Sequence, residues 1–121
     1  MKTRPTHKEL SAKIRSAKDL VSTKKVILVE PDVIINDAQT LGYSIAEIFD
    51  VLMEVLEATT PECYSGTHPP QRSYERLIID EELFAFTTII GRFHPPIYFK
   101  FALKNKQFYL VSLHEDKLRT P

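Results

Sequence analysis

The spacing of apolar residues changes halfway along the chain, and this change limits the available folds. In the first half they recur at helical intervals, as Leu10, Ile14, Ala17 and Val21 do. The second half instead holds runs rich in β-branched and aromatic residues, at 74–79, 83–90, 97–103 and 107–114. Helices followed by strands predict an α+β domain with N-terminal helices packed on one face of a mainly antiparallel, twisted sheet.

Local signals set the predicted bounds of these elements. Capping boxes at 6–9 and 44–47 open a first and a third helix, and a second helix runs from Pro31 to a stop at Gly42. A short β-rich run, 26–29, separates the first two helices. The run 83–90 is apolar on both faces apart from its threonines, which predicts a central strand. Short connections in the second half predict antiparallel pairing.

Length and composition favour one domain over residues 1–121, mainly helical over 1–60 and an antiparallel sheet over 61–116. The chain is 43% hydrophobic and 26% charged, as in soluble globular proteins. No apolar run approaches about 18 residues, and no apolar stretch follows the first residues, so we expect no membrane span and no signal peptide. A single cysteine, Cys63, fits a reducing cytoplasm.

A net charge of zero hides a strong asymmetry along the chain. Residues 1–25 carry +6, residues 26–63 carry −8 and residues 64–121 carry +2. The whole-molecule field therefore gives no general case for nucleic-acid binding, although a local basic face remains possible. The alternative is that these charges are simply solvated helix faces.

The last predicted hairpin decides which side chains share a face. In 97–103 the odd-numbered residues are all apolar, which makes the even face the open one. A three-residue loop, 104–106 or 105–107, would pair odd positions with odd ones, whereas a two-residue loop would pair core positions with open ones. We therefore expect a three-residue loop and one shared open face carrying Tyr98, Lys100, Ser112 and His114.

Such a face suits phosphodiester chemistry. The ammonium of Lys100 would hold a phosphate charge, and His114 has the side chain best suited to acid or base work near neutrality. Tyr98 would donate to a leaving oxygen or stack on a base. An ordinary solvated sheet face carrying lysine and tyrosine is the alternative interpretation.

A second cluster lies in the turn-rich segment 64–76. The planar guanidinium group of arginine fits the geometry of a phosphate, and aromatic rings stack on unpaired RNA bases. The alternative is a rigid surface loop held by its prolines. The histidines show no metal-ligand spacing, and the few glycines form no phosphate-cradling loop, so we expect neither a metal nor a cofactor. The candidate RNA-binding residues of this segment are Tyr64, Arg72, Tyr74 and Arg76, and His68 is a candidate catalytic residue.

The order of these segments resembles the MqsR family of bacterial toxins from type II toxin–antitoxin systems. The residues that carry the resemblance are the opening 2–7, the Pro-x-x-Tyr element 61–64, Tyr98-x-Lys100 and Ser112-x-x-Glu115. The resemblance implies a RelE-like fold and an endoribonuclease that cleaves mRNA without a metal. It further implies attack by a ribose 2′-hydroxyl and inhibition by an antitoxin from the same operon.

By position, the resemblance makes Tyr98 the active-site tyrosine and Tyr64 the tyrosine that follows the third helix. His114 falls where the family often has a lysine. Two positions depart from the family pattern, with Ser65 at an expected lysine and Ala85 near an expected glutamine. We infer that His68, Arg72 and Arg76 replace the missing groups in a divergent branch.

The sequence thus predicts a cytoplasmic mRNA interferase with Tyr98, Lys100, His114 and His68 as its catalytic set. Its expected partners are an mRNA substrate and a cognate antitoxin protein, with the ribosome as a further candidate and no membrane. Two alternatives stay open. One is a non-catalytic RNA-binding or regulatory protein, and the other is a degenerate toxin that survives as an interaction partner.

Overall fold

Three helices lie against a four-stranded mixed sheet in the computed structural model, which describes residues 5–67 and 69–116. This arrangement confirms the predicted α+β fold. The 3₁₀ turns are Ile45–Glu47, Pro61–Cys63 and Arg76–Ile78. The helices and strands, in chain order, are α1 (His7–Ser22), β1 (Val26–Leu28), α2 (Pro31–Leu41), α3 (Ile48–Ala58), β2 (Phe84–Thr88), β3 (Ile97–Lys104) and β4 (Gln107–Glu115).

The predicted helix ends are confirmed by their caps. At α1 the Glu9 amide donates to the Thr6 hydroxyl at 3.1 Å, and the Thr6 amide donates back to the Glu9 carboxylate at 3.1 Å. Helix α2 has Pro31 in its first turn and ends at Gly42, whose φ of 92° is left-handed backbone. The second capping box, at Ser44, opens the 3₁₀ turn 45–47, which leads directly into α3.

The strands are ordered β1-β4-β3-β2, with β2–β3 and β3–β4 antiparallel and β1–β4 parallel. The prediction that 83–90 is a central strand is wrong, because β2 lies at the end of this order. Its outer edge is nevertheless covered, since Tyr64 bridges to Phe86 and the Ser65 amide donates to the Ala85 carbonyl at 2.9 Å. This loop cover explains why β2 is apolar on both faces.

The predicted strand 74–79 is also wrong. The chain there forms the 3₁₀ turn 76–78, bounded by Asp80 at a φ of 66°. Ser73 holds the turn, because its amide donates to the Glu81 carbonyl at 2.9 Å and its carbonyl accepts from the Asp80 amide at 2.9 Å. The Ser73 hydroxyl also accepts from the Glu75 amide at 2.9 Å. Local polar hydrogen bonds of this kind compete with strand pairing.

The β3–β4 hairpin has a two-residue loop, so the predicted three-residue loop is wrong. Asn105 and Lys106 have φ values of 51° and 59°, as a type I′ turn requires, and Lys104 pairs with Gln107. A bulge at Val111 then shifts the register, because Phe101 pairs with Leu110 whereas Lys100 pairs with Ser112. Because the bulge adds one residue to β4, Ser112 and His114 lie opposite Lys100 and Tyr98, as they would after a three-residue loop without a bulge.

The core lies between the helices and one sheet face. Its centre is a cluster of phenylalanine rings from the three antiparallel strands, in one apolar core with the buried residues of α1, α2 and α3. A smaller apolar cluster of Ile78, Leu83, Ala102 and Tyr109 covers the opposite face of the sheet near the hairpin turn. The far end of that opposite face is left partly exposed, and this is where Tyr98, Lys100, Ser112 and His114 lie.

Tyr43, which follows the Gly42 cap, is buried with no hydrogen-bond partner for its hydroxyl among the described residues. An unpaired buried hydroxyl costs about 1–3 kcal/mol. We therefore expect Tyr43→Phe to raise the free energy of unfolding by about 1 kcal/mol in urea denaturation at neutral pH. Equal or lower stability of Tyr43→Phe would contradict this.

The same residue predicts a pH dependence. Burial, with a smaller effect from the Asp37 carboxylate, raises the pKa of Tyr43 to about 12. In the unfolded chain the phenol ionises near about 10, so above that pH the unfolded state loses its proton first and folding stability falls. The stability advantage of Tyr43→Phe over the parent should therefore grow from about pH 10 to about pH 12. Parallel stability curves for the two proteins would contradict this.

Candidate active site

The predicted shared face is confirmed by the strand register. Tyr98 on β3 pairs with His114 on β4, and Lys100 pairs with Ser112. Strand β2 places Thr87 beside Tyr98 and Ala85 beside Lys100. Four polar side chains from two strands are thus brought to one end of the open sheet face, and each is partly exposed.

Tyr98 and His114 form a stacked pair. Their ring centroids are 5.3 Å apart and their planes are inclined by 28°. Offset stacking of this kind is attractive and limits the rotamers of both rings. Each ring therefore holds the other in place at the surface without a hydrogen bond between them.

A backbone hydrogen bond sets the tautomer of His114. Its Nδ1 lies 2.7 Å from the carbonyl oxygen of Glu115. A carbonyl only accepts, so the neutral imidazole carries its proton on Nδ1 and has a lone pair on Nε2. Nε2 is therefore the atom that takes up a proton, which is the arrangement that a general base requires.

The Tyr98 hydroxyl is held in its protonated form. Burial is the main cause that raises its pKa, and the Asp116 carboxylate adds to the effect. A phenol that stays protonated over the physiological range acts as a hydrogen-bond donor toward a bound oxygen. The pair thus offers one proton acceptor and one proton donor on the same small patch.

A group of hydrogen-bonded polar side chains that was not predicted supports the patch from the β2 side. The Thr87 hydroxyl donates to the buried Asp116 carboxylate at 3.3 Å and lies 3.0 Å from the Ser65 hydroxyl. The Asp116 amide donates to the Pro96 carbonyl at 2.9 Å, which fixes the end of β4. The alternation Ser112, His114, Asp116 carries a signal that would have placed the carboxylate on this face.

Lys100 supplies positive charge next to the pair. It lies two residues from Tyr98 on β3, about 7 Å along the strand and on the same face. Among the residues that the structure describes, no carboxylate forms an ion pair with its ammonium group. The charge is therefore available to an anionic ligand.

Apart from Ser65, the predicted residues of the segment 64–76 that the structure describes do not join this patch. Tyr64 is buried, its ring packs edge-on against Phe86, and its hydroxyl donates to the Thr67 carbonyl at 2.6 Å, so the geometry does not offer it to a base. The backbone of Arg72 forms an isolated β-bridge with that of Glu82. Glu82 is five residues before Thr87, so this bridge lies about 16 Å along the strand direction from Thr87.

The remaining members of the segment have separate positions. The Arg72 guanidinium donates to the Asp80 carbonyl at 2.7 Å. Tyr74 is 89% exposed, and Arg76 is exposed on the 3₁₀ turn. His68 lies outside the described residues. The structure therefore brings together Tyr98, Lys100 and His114, but leaves Arg72, Tyr74 and Arg76 on another part of the surface.

Within 5–67 and 69–116, no group of three or more histidine, cysteine, aspartate or glutamate residues is arranged to hold a metal ion. No helix in the same part of the chain is long and apolar enough to cross a membrane. Comparison with family models, with curated proteins and with solved structures gives no match.

Proposed function

We propose that the protein is an endoribonuclease that cleaves mRNA without a metal, as the toxin of a type II toxin–antitoxin system. The observation that carries the proposal is the stacked pair of Tyr98 and His114, with Nδ1 of His114 engaged and Nε2 available. The order of segments along the chain resembles that of the MqsR family, and this resemblance supports the toxin assignment. A cytoplasmic location and inhibition by an antitoxin belong to the same proposal.

The proposed reaction needs one proton acceptor and one donor. Nε2 of His114 takes the proton from a ribose 2′-hydroxyl, and the 2′-oxygen forms a bond to the adjacent phosphorus. The bond from phosphorus to the 5′-oxygen breaks, and the Tyr98 hydroxyl gives its proton to that leaving oxygen. The products are a 2′,3′-cyclic phosphate and a 5′-hydroxyl, and solvent returns the proton from the imidazolium to the phenolate.

Lys100 has the electrostatic role in this proposal. The phosphorane gains negative charge as the 2′-oxygen attacks, and Lys100, two residues or about 7 Å along the strand from Tyr98 and on the same face, supplies the positive charge that would stabilise it. Thr87 and Asp116 act as positioning residues, because the Thr87–Asp116 hydrogen bond holds the strand ends that carry the pair. Arg72 and Arg76, which the sequence suggested as phosphate-stabilising groups, receive no geometric support for that role.

Product chemistry tests the proposal. Purified protein incubated with an unstructured RNA in excess EDTA is expected to yield fragments with 2′,3′-cyclic phosphate and 5′-hydroxyl ends. A substrate with a single 2′-deoxynucleotide at the cut position is the matched control, and we expect it to stay intact there. Loss of cleavage in EDTA, or cutting of the deoxy substrate at the same site, would contradict the mechanism.

A second candidate is a non-catalytic RNA-binding or degenerate toxin-like protein. The observation that favours it is Ala85, which is buried beside Lys100 and offers no polar group where the family pattern has a glutamine. Ser65 likewise stands at an expected lysine and bonds to Thr87. An RNA-binding protein would show salt-dependent binding and leave the RNA intact, whereas a degenerate toxin would bind a partner protein without causing growth arrest.

A further inference from the structure

A cleft of about 560 Å³ lies between α1 and the β3–β4 turn, on the helix-covered side of the hairpin. Leu103, which packs against the main core, forms part of its lining. We call it the lysine cleft, because its charged lining residues are one aspartate, Asp19, and four lysines, Lys13, Lys25, Lys104 and Lys106. The lining therefore carries a formal excess of positive charge.

The lysines of the cleft carry charges that no carboxylate of the described residues neutralises. In the part of the chain that the structure describes, none of them forms an ion pair with a carboxylate. The Lys13 ammonium lies 5.3 Å from the Phe84 ring centroid, a contact that leaves its charge in place. The Lys104 ammonium donates to the Leu77 carbonyl at 3.2 Å, next to the apolar cluster on the opposite face of the sheet, so the positive charge of the cleft comes from Lys13, Lys25 and Lys106. Like charges gathered in a concave site favour an anionic ligand.

The rest of the lining indicates which anion fits. Ser16 and Asn105 supply donors of the kind that bind phosphate oxygens, whereas the Thr23 hydroxyl donates to the Asp19 carbonyl. Among the described residues of the lining none has an aromatic ring on which a base would stack, and the apolar part is limited to Leu20 and Leu103. Lysine acts as a point charge rather than a shaped fork. These features favour a ligand with several phosphates in a row, bound without regard to base sequence. They disfavour a folded protein partner, because such a partner needs apolar anchor residues.

We propose that the lysine cleft binds the phosphate backbone of single-stranded RNA, outside the catalytic patch. This inference rests on the proposed function, since it names where the substrate is held. Lys104 is six residues from Tyr98 on β3, about 20 Å along the strand. The cleft therefore acts on substrate affinity and leaves the chemical step at Tyr98 and His114 unchanged.

Binding of a labelled, uncleavable 2′-O-methyl RNA of roughly 15 nucleotides, followed by fluorescence anisotropy over a salt series, tests the cleft. The variant is Lys25→Gln with Lys106→Gln, which keeps most of each stem. The matched control is Lys8→Gln with Lys18→Gln, which removes the same charge from α1 outside the cleft. Thermal melting checks that both fold.

Each phosphate contact to single-stranded nucleic acid contributes about 0.7 to the slope of log K against log salt. The cleft variant should therefore lose about 1.4 of slope, which corresponds to roughly 25-fold weaker binding at about 0.1 M salt. The control variant should stay within about twofold of the parent. Equal losses in both variants, no loss in either, or equally strong competition by poly-glutamate would overturn the cleft as an RNA site.

The same assay separates this inference from the proposed nuclease. If the parent binds through the cleft but leaves ordinary RNA intact, the cleft stands and the nuclease fails. If the parent cuts RNA while both double variants bind alike, the nuclease stands and the cleft is overturned.

Discussion

Replacing His114 by glutamine is expected to slow RNA cleavage by about 10²–10⁴-fold, the usual contribution of a positioned acid–base group. Glutamine keeps a polar side chain at this position but has no nitrogen that accepts a proton near neutral pH. The Glu115 carbonyl engages Nδ1 of the parent ring, so the lost function is that of Nε2. Single-turnover cleavage of a defined RNA measures the effect.

Two controls sharpen this prediction. His94 is exposed in the loop before β3, so His94→Gln should cleave at the parent's rate. Tyr98→Phe keeps a ring against His114 and removes the proposed donor, so its rate should fall while its stability changes little. Cleavage by His114→Gln at the parent's rate would show that the assigned roles are wrong.

The largest expected effect on stability comes from Phe101→Ala. Phe101 is fully buried, and its ring lies 4.8 Å from that of Phe108 and 6.0 Å from that of Phe99, centroid to centroid. Removing a buried phenylalanine costs about 3–5 kcal/mol, from lost burial and from the cavity that remains. Native domains have only about 5–15 kcal/mol in total, so the urea midpoint should fall sharply.

Ile89→Ala is the matched control for this substitution, because Ile89 is 73% exposed next to the same sheet. Its free energy of unfolding should change by no more than about 0.5 kcal/mol. A Phe101→Ala protein as stable as Ile89→Ala would mean that the phenylalanine cluster does not form the centre of the core.

The helices were predictable because their signals are local. The Thr6–Glu9 capping box and the left-handed stop at Gly42 each depend on a few neighbouring residues, and each helix begins or ends there in the structure. The apolar stripe of α1 predicted its buried residues for the same reason. Such elements need no information about the rest of the chain.

The sheet was predictable only in part, because pairing depends on distant residues. The shared face of Tyr98, Lys100, Ser112 and His114 was correct even though the loop length was wrong. The bulge at Val111 compensates for the two-residue loop, and alternation of apolar residues alone does not reveal it. The central position expected for β2 was wrong because Tyr64 and Ser65, rather than a further strand, cover its edge.

The candidate site, like the sheet, was predictable only in part. Alternation along β3 and β4 placed three of the predicted catalytic residues together, since a strand presents every second residue to one face. Alternation did not predict the positions of residues in the segment 64–76. The turn around Ser73 and the burial of Tyr64 depend on contacts with residues 80–86, which lie further along the chain. The Thr87–Asp116 hydrogen bond joins residues 29 apart in sequence, which no local pattern predicts.

Inducible expression in bacteria, with the parent beside His114→Gln at matched soluble levels, tests the central claim most directly. Growth is followed, and new 5′ ends are mapped in total RNA. We expect growth arrest and cuts at a defined set of RNA positions in cells expressing the parent, and the loss of both with His114→Gln. Unimpaired growth and intact RNA in cells that contain soluble parent protein would contradict the proposed nuclease.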